Sequence, residues 1–179
     1  PVPVYSSMLQ CGLFEGSMTE NERDQIAHVF REVVALASTA MQAGQSPFSA
    51  IIVANGQVLA RGVNQTRSGK NPTLHAEMVA IAEACKAHGM EALAGSTAIC
   101  SCEPCPMCLM ALYYSGVASV LFGASLQDAI ANGSGDPPIP SKTLIELGDL
   151  PIEIDQVGDE GAEAIIRLFR QKIERDGEL

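Results

Sequence analysis

Residues 48–64 read FSAIIVANGQVLARGVN. A short apolar run from Phe48 to Ala54 meets Asn55-Gly56, and Gln57 to Asn64 returns as a second run. Asn-Gly between two such runs predicts a type I′ hairpin, because both central residues must take positive φ. The chain therefore opens its sheet with an antiparallel pair. Upstream, Thr19-Glu20-Asn21-Glu22 has the form of a helix capping box, and Ile26, Val29, Phe30, Val33, Val34, Ala37 and Met41 recur at helical spacing until Gly44. Downstream, Thr73 can cap a helix over Leu74–Ala87, followed by a strand at Ser96–Ser101 and a helix that starts at Pro104 and Pro106 and runs to about Ser115. Next come a strand at Ser119–Gly123, a Pro- and Gly-rich loop at Asn132–Pro140 and a short helix near Lys142–Leu147. A strand at Ile152–Ile154 and a helix over Glu160–Arg175 close the pattern. A hairpin and then alternating helices and strands predict an α/β fold, three-layer α-β-α with a mixed five-stranded sheet. The third and fourth strands, joined through a helix, should be parallel. Residues 18–179 are expected to form a single domain. Gly16-Ser17-Met18 has the form of a cloning junction, which would make residues 1–17 a leader outside that domain.

Composition narrows the function. The 179 residues carry 11 Lys and Arg against 21 Asp and Glu, a net charge of -10. A protein that coats a nucleic-acid duplex usually has the opposite sign. Aromatics are 4% and Trp is absent, which argues against a broad base-stacking platform. No apolar stretch approaches the roughly 20 residues of a membrane-spanning helix.

Six cysteines occur, at 11, 85, 100, 102, 105 and 108. Four of them fall within nine residues, unlike the spread of a disulfide scaffold. Pro1–Ser17 has neither the basic start nor the continuous apolar run of a secretory signal. The expectation is a reducing, cytoplasmic compartment and thiolates that bind metal. Two segments carry the chemistry: His75-Ala76-Glu77 and Pro104-Cys105-Pro106-Met107-Cys108. One helical turn brings the sulfurs of Cys105 and Cys108 to one side, and a helix N-terminus favours thiolate over thiol. His75 can supply a third ligand. Three protein ligands on zinc leave one open position for water, whose pKa the metal can lower from about 15.7 to near 7. Glu77 is placed to take that proton and hand it on. A structural site built from Cys100, Cys102, Cys105 and Cys108 is the rival reading, but it is crowded and gives His75 and Glu77 no role. Cys100 is expected in the core, and Cys11, Cys85 and Cys102 as free thiols.

H-x-E followed by P-C-x-x-C is the signature of the zinc deaminases. The span from Pro47 to about Ala124 resembles the cytidine-deaminase-like superfamily. Thr73-Leu-His-Ala-Glu and Ser101-Cys-Glu-Pro-Cys-Pro-Met-Cys most resemble its guanine deaminase, cytosine deaminase and tRNA adenosine deaminase branch. The resemblance implies a hydrolytic deaminase with one catalytic zinc and its bound water or hydroxide, held by His75, Cys105 and Cys108, with Glu77 as proton shuttle. It also implies a set of substrate contacts. Phe48 matches an aromatic wall of the base pocket, and Asn64 matches an Asn that hydrogen-bonds the base. Ala76 matches a backbone N–H that points into the pocket, and Glu103 a backbone carbonyl near the departing amine. Asp136, 28 residues after Cys108, matches the base-reading Asp of guanine deaminases. Their aromatic before that Asp and their aromatic tail are absent here. Phe169 to Asp176 instead resembles the tail of fungal-type cytosine deaminases, in which Asp176 would read the ring.

The function expected is therefore deamination of a free nucleobase or similar aminated heterocycle, guanine first and cytosine second. A tRNA adenosine editor fits the acidic charge less well, and a zinc-stabilised binding module would have no use for Glu77. The resemblance further implies a homodimer, for which Met107, Leu109, Met110, Leu112, Tyr113 and Tyr114 offer an apolar helix.

Overall fold

The computed structural model describes residues 20–179. The Thr19 cap and the leader at 1–17 lie outside the described residues, as does Cys11. In chain order the elements are α1 (Glu20–Gln42), β1 (Ser49–Ala54), β2 (Gln57–Val63), α2 (Ala76–His88), a 3-10 turn (Met90–Leu93), β3 (Thr97–Cys102), α3 (Pro106–Tyr114), β4 (Ser119–Ala124), α4 (Leu126–Ala131), α5 (Ser141–Gly148), β5 (Glu153–Gln156) and α6 (Asp159–Asp176). The sheet has five strands in the order β2-β1-β3-β4-β5. β1 is antiparallel to both neighbours, while β3–β4 and β4–β5 are parallel. The expected mixed sheet and the parallel third and fourth strands are therefore present. Asn55 and Gly56 take φ of 52° and 74°, as a type I′ turn requires.

Both faces of the sheet are covered. On one, Phe30, Val33, Ala37 and Met41 of α1 and Ile165, Leu168 and Phe169 of α6 pack on Ile51, Val53, Ile99 and Leu121. On the other, Ala76, Ala80 and Ala84 of α2 and Leu109 and Leu112 of α3 pack on Ala50, Ile52, Ala98, Cys100 and Val120. Neighbouring strand residues thus serve opposite cores, which is why β1 and β3 read as unbroken apolar runs rather than alternating ones. Among the described residues no helix is long and apolar enough to cross a membrane.

Three local readings are corrected. α2 begins at Ala76 with His75 as its N-cap, not at Leu74. Thr73 does not cap it, because its N–H and hydroxyl both bond Asn71 Oδ1, at 2.9 and 2.8 Å. α4 was not anticipated. Ser125 and Asp128 form a reciprocal capping box that starts it, and Asp serves where the usual pattern has Glu or Gln. β3 continues past Ser101 to Cys102, so Cys100 sits within the strand, fully buried.

Two contacts fix the ends that surround the later site. The first is the close approach of α2 to β2. A Cβ on Gly62 would lie 2.0 Å from the Ala76 carbonyl oxygen and 2.6 Å from the Ala80 nitrogen. The second is a clamp at the end of α6. Lys172, fully buried, pairs with Asp176. Arg175 reaches Asp176 at 2.7 Å and the Met41 carbonyl at 2.8 Å. The clamp holds α6 where the Phe169 ring lies 5.4 Å from that of Phe48.

Gly62→Ala should destabilise the fold by about 3 kcal/mol, since backbone cannot move as a side chain would, and lower the unfolding midpoint by about 6–12 °C. Calorimetry measures this, and metal content should fall with it because His75 rides on the displaced turn. Asp176→Asn should also lower the midpoint. Arg175 and Lys172 hold the Asp176 carboxyl well below the usual carboxylate range. A depressed carboxyl stabilises the fold above its unfolded pKa and stops doing so as pH falls. The gap between wild type and Asp176→Asn should therefore be full at pH 7 and close as pH drops through and below 3.8, as read by midpoints measured across pH.

Candidate active site

The strand directions decide what meets at the site. β2 and β3 are both antiparallel to β1, so they run the same way, and β4 and β5 run with β3. The carboxyl ends of four strands and the start of β1 share one end of the sheet. That end carries Phe48 before β1, Asn64 after β2, Glu103 after β3 and the segment after β4. Ligands of open α/β sheets bind at this kind of edge. Asn64 N–H donates to the Phe48 carbonyl at 3.0 Å, so these two residues are tied together. Ser49 N–H donates to Ser101 Oγ at 2.9 Å, fixing the start of β1 against β3.

The helices that begin here face each other. His75 is the N-cap of α2, Cys105 is the N-cap of α3 with Pro106 at the first helical position, and neither makes a side-chain capping bond. Their side chains point to each other instead, with Cys105 Sγ 3.7 Å from His75 Nδ1. Cys108 joins from the next turn of α3, and the three candidate ligand atoms lie within 4.8 Å of one another.

Protonation follows from this crowding. Hydrogen bonds from Cys108, both its thiol and its backbone N–H, and from His75 bring Cys105 down from 9.0 to about 5, against its burial. The bond to Cys105 raises His75. Cys108 is driven far above the ordinary thiol range, chiefly because its S–H is bonded to the Cys105 thiolate. The cluster thus holds one thiolate and one thiol that a dication would deprotonate. An imidazole nitrogen and two sulfurs within 4.8 Å suit a zinc ion, and three protein ligands are the set that catalytic zinc sites use. Cys100 and Cys102 are not in this cluster. Both are buried, and the Cys102 thiol donates to the Ser125 carbonyl at 3.5 Å. Cys85 is a free thiol, half-buried.

Glu77 is 8% exposed and lies in the first turn of α2. Burial raises its carboxyl from 4.5 to about 7, outweighing a bond from its own backbone N–H and the pull of His75. Asn64 is buried, and its Oδ1 accepts from Thr66 N–H at 3.2 Å and Thr66 Oγ at 2.9 Å. An N–H can only donate, so these bonds fix the amide orientation. The Nδ2 end has no partner among the described residues and can donate to a ligand. Ala76 N–H belongs to an uncapped first turn, where backbone donors are free. Phe48 is half-buried against Phe169.

The remaining candidates separate. Asp136 is half-buried in the loop after α4, accepts from Ser134 Oγ at 2.5 Å, and contributes to raising His75. Asp176 is exposed on the last turn of α6, its two oxygens engaged by Arg175 and Lys172. The Glu103 carboxylate accepts from the Leu126 and Ser141 N–H groups rather than from α3. Leu109 and Leu112 are core residues, while Tyr114 is 78% exposed on the outer face of α3. A groove of about 870 Å³ lies in the other layer, between α1, β5 and α6, and contains none of these residues. Thr66, Ser134 and Gly62 escaped the sequence reading. Asn-x-Thr and Ser-x-Asp are recognisable as local side-chain turns, whereas the need for glycine at 62 depends on a helix that arrives later in the chain.

Comparison with known proteins agrees with this geometry. The family model of the cytidine and deoxycytidylate deaminase zinc-binding region matches residues 23–124. Guanine deaminase of Bacillus subtilis (strain 168) is 40% identical over 107 residues, 59% of this chain and 69% of that protein. The tRNA-specific adenosine deaminase of the same organism is 42% identical over 94 residues, 52% of this chain and 58% of that protein. Among solved structures, guanine deaminase from Nitrosomonas europaea superposes with a TM-score of 0.70 over 80% of this chain and 81% of its own. At 24% identity that likeness concerns the fold alone. The matched span is more than half of the sequence and contains His75, Glu77, Cys105 and Cys108: the chain belongs to the cytidine and deoxycytidylate deaminase zinc-binding family, whose members are hydrolytic deaminases acting on carbon–nitrogen bonds.

Proposed function

We propose that the protein hydrolytically deaminates a free nucleobase, guanine first, and releases ammonia. The observation that carries this reading is Glu77, a buried carboxyl raised to about 7 beside the His75, Cys105 and Cys108 cluster. A group with that pKa both accepts and gives up a proton near neutral pH. When bound by these three residues, zinc acidifies a water at its open position. Glu77 takes a proton from the attacking water and delivers it to the ring nitrogen beside the amine-bearing carbon. It then carries the second water proton to the amine, the carbon–nitrogen bond breaks, and an oxo group replaces ammonia. Phe48 walls one face of the flat ring. Asn64 Nδ2 donates to an acceptor on the base, the Ala76 N–H offers a second donor, and the Glu103 carbonyl receives the departing amine. Asp136 accepts from ring N–H and amine groups, as the guanine edge requires. Asp176 is committed to two cations, which favours guanine over cytosine. Homodimerisation through Met107, Met110, Tyr113 and Tyr114 on the outer face of α3, and a cytoplasmic location, belong to the same reading.

A tRNA adenosine substrate is the second reading, favoured by the relative that is 42% identical. The net charge of -10 opposes it.

Ammonia release from guanine, cytosine, adenine and a tRNA anticodon stem-loop tests the choice, and turnover of guanine is expected. Activity on the stem-loop alone would overturn the free-base reading. Glu77→Gln should retain one zinc per chain and lose about 10²–10⁴ in kcat. Asn64→Ala should raise KM about tenfold by removing one buried donor, with a smaller change in kcat. Full activity of Glu77→Gln would remove the proton-shuttle assignment.

A further inference from the structure

We propose that the Glu103 side chain is a positioning residue for substrate recognition, holding both ends of the segment that carries Asp136. This rests on the free-base reading above and assigns Glu103 a task apart from its backbone carbonyl. Between Ala124 and Ser141 the chain leaves the sheet, forms α4, passes through residues 132–140 and enters α5. Both ends of that excursion come back to one residue. Leu126 N–H, at the start of α4, donates to Glu103 Oε2 at 3.0 Å. Ser141 N–H, at the start of α5, donates to Glu103 Oε1 at 2.8 Å. Glu103 N–H donates to the Ala124 carbonyl at 2.8 Å, and the buried Ser141 hydroxyl donates to the Pro104 carbonyl at 2.8 Å.

The donors are first-turn amides, which no helix can satisfy internally, and a carboxylate at two helix N-termini is favoured by both dipoles. A carboxylate can accept both bonds, whereas an amide in its place would accept one and turn an N–H toward the other donor. Leu126 and Ala129 bury α4, and Ser134 N–H donates to the Ala129 carbonyl at 2.9 Å, so the first half of the segment is also tied to the core, while the stretch after Ser134 has fewer holds. Gly133, Gly135, Pro137, Pro138 and Ile139 are exposed. Asp136 is held by Ser134, two residues away in the same segment, so that bond shapes the loop without attaching it to the sheet. The place of Asp136 relative to His75 is therefore set by α4 on one side and, on both, by the anchors at Glu103. Glu103 itself follows β3 and lies two residues before Cys105, so one turn of chain fixes the metal cluster and the loop that faces it.

A double-mutant cycle with guanine as substrate tests this, using zinc-loaded full-length wild type, Glu103→Gln, Asp136→Asn and the double variant. Glu103→Gln should keep one zinc per chain, raise KM at least about tenfold and change kcat less than about threefold, because the lost contact is to bound substrate and not to the metal. In the Asp136→Asn background the same substitution should change KM less than about threefold, since residues acting through one contact are not additive. Equal losses in both backgrounds, or a fall in kcat with KM unchanged, would overturn the proposal. Amide hydrogen exchange keeps the test decisive if guanine is not a substrate. Exchange over residues 126–141 should accelerate in Glu103→Gln while the metal content stays at one per chain. Unaltered exchange there would overturn the proposal whatever the substrate.

Discussion

The arrangement depends on two helix N-termini whose cap side chains meet, with Cys105 Sγ of one 3.7 Å from His75 Nδ1 of the other. An N-cap side chain ordinarily bonds its own first turn. Here His75 makes no such bond, and Cys105 turns its sulfur to His75 as well as to Cys108. The cost is a set of unsatisfied backbone donors and two positive dipole ends at close range. A thiolate is compatible with that surrounding, and bonds from Cys108 and His75 bring the Cys105 thiol down to about 5. Whatever occupies the space between the helices must be compatible with anionic sulfur and free N–H groups, and a zinc ion with a base rich in acceptors meets both conditions.

This confrontation is enforced by the sheet. β1 alone runs against the rest, so its start and the ends of its neighbours fall at one edge. α2 can come close enough only because Gly62 has no Cβ and because its buried stripe is Ala76, Ala80 and Ala84. α3 starts where it does because Pro106 suits a first helical position. Small residues thus bring the helices to the sheet, and the ends of the helices make the site. The buried aromatic rings lie in the opposite layer, where Phe30 and Phe169, with Ile165, fill the space under α1 and α6.

What could be read in advance follows the range of each interaction. The hairpin turn, the helical periodicity of α1 and the metal motif are encoded within a few residues and were legible. The start of α2 was misplaced because Thr73 looks like a cap, whereas its N–H and hydroxyl are taken by Asn71 Oδ1. Asp176 illustrates the other limit. Its spacing from Phe169 suggested a ligand contact, yet Lys172, one turn earlier, is buried and takes the carboxylate. A buried lysine leaves no trace in a helix that also carries exposed arginines and acids. Glu103 was singled out only for its backbone carbonyl, and the partners of its side chain lie at 126 and 141, beyond any local pattern.

Two glutamates stand near the metal ligands, and their surroundings divide the work between them. Glu77 is on the helix side, stripped of water and bonded mainly to its own backbone N–H and to Cys108. Its proton affinity is set by burial, so it can exchange a proton with a substrate that replaces the missing solvent. Glu103 is on the loop side, and both its oxygens are occupied by N–H donors of the protein. Such a carboxylate is held at both oxygens and has two backbone hydrogen bonds to lose by moving. Exchanging the two environments would leave the composition of the site unchanged and remove its chemistry. In the proposed reaction, what distinguishes the residue that would move protons from the one that holds structure is therefore which donors each oxygen has already found.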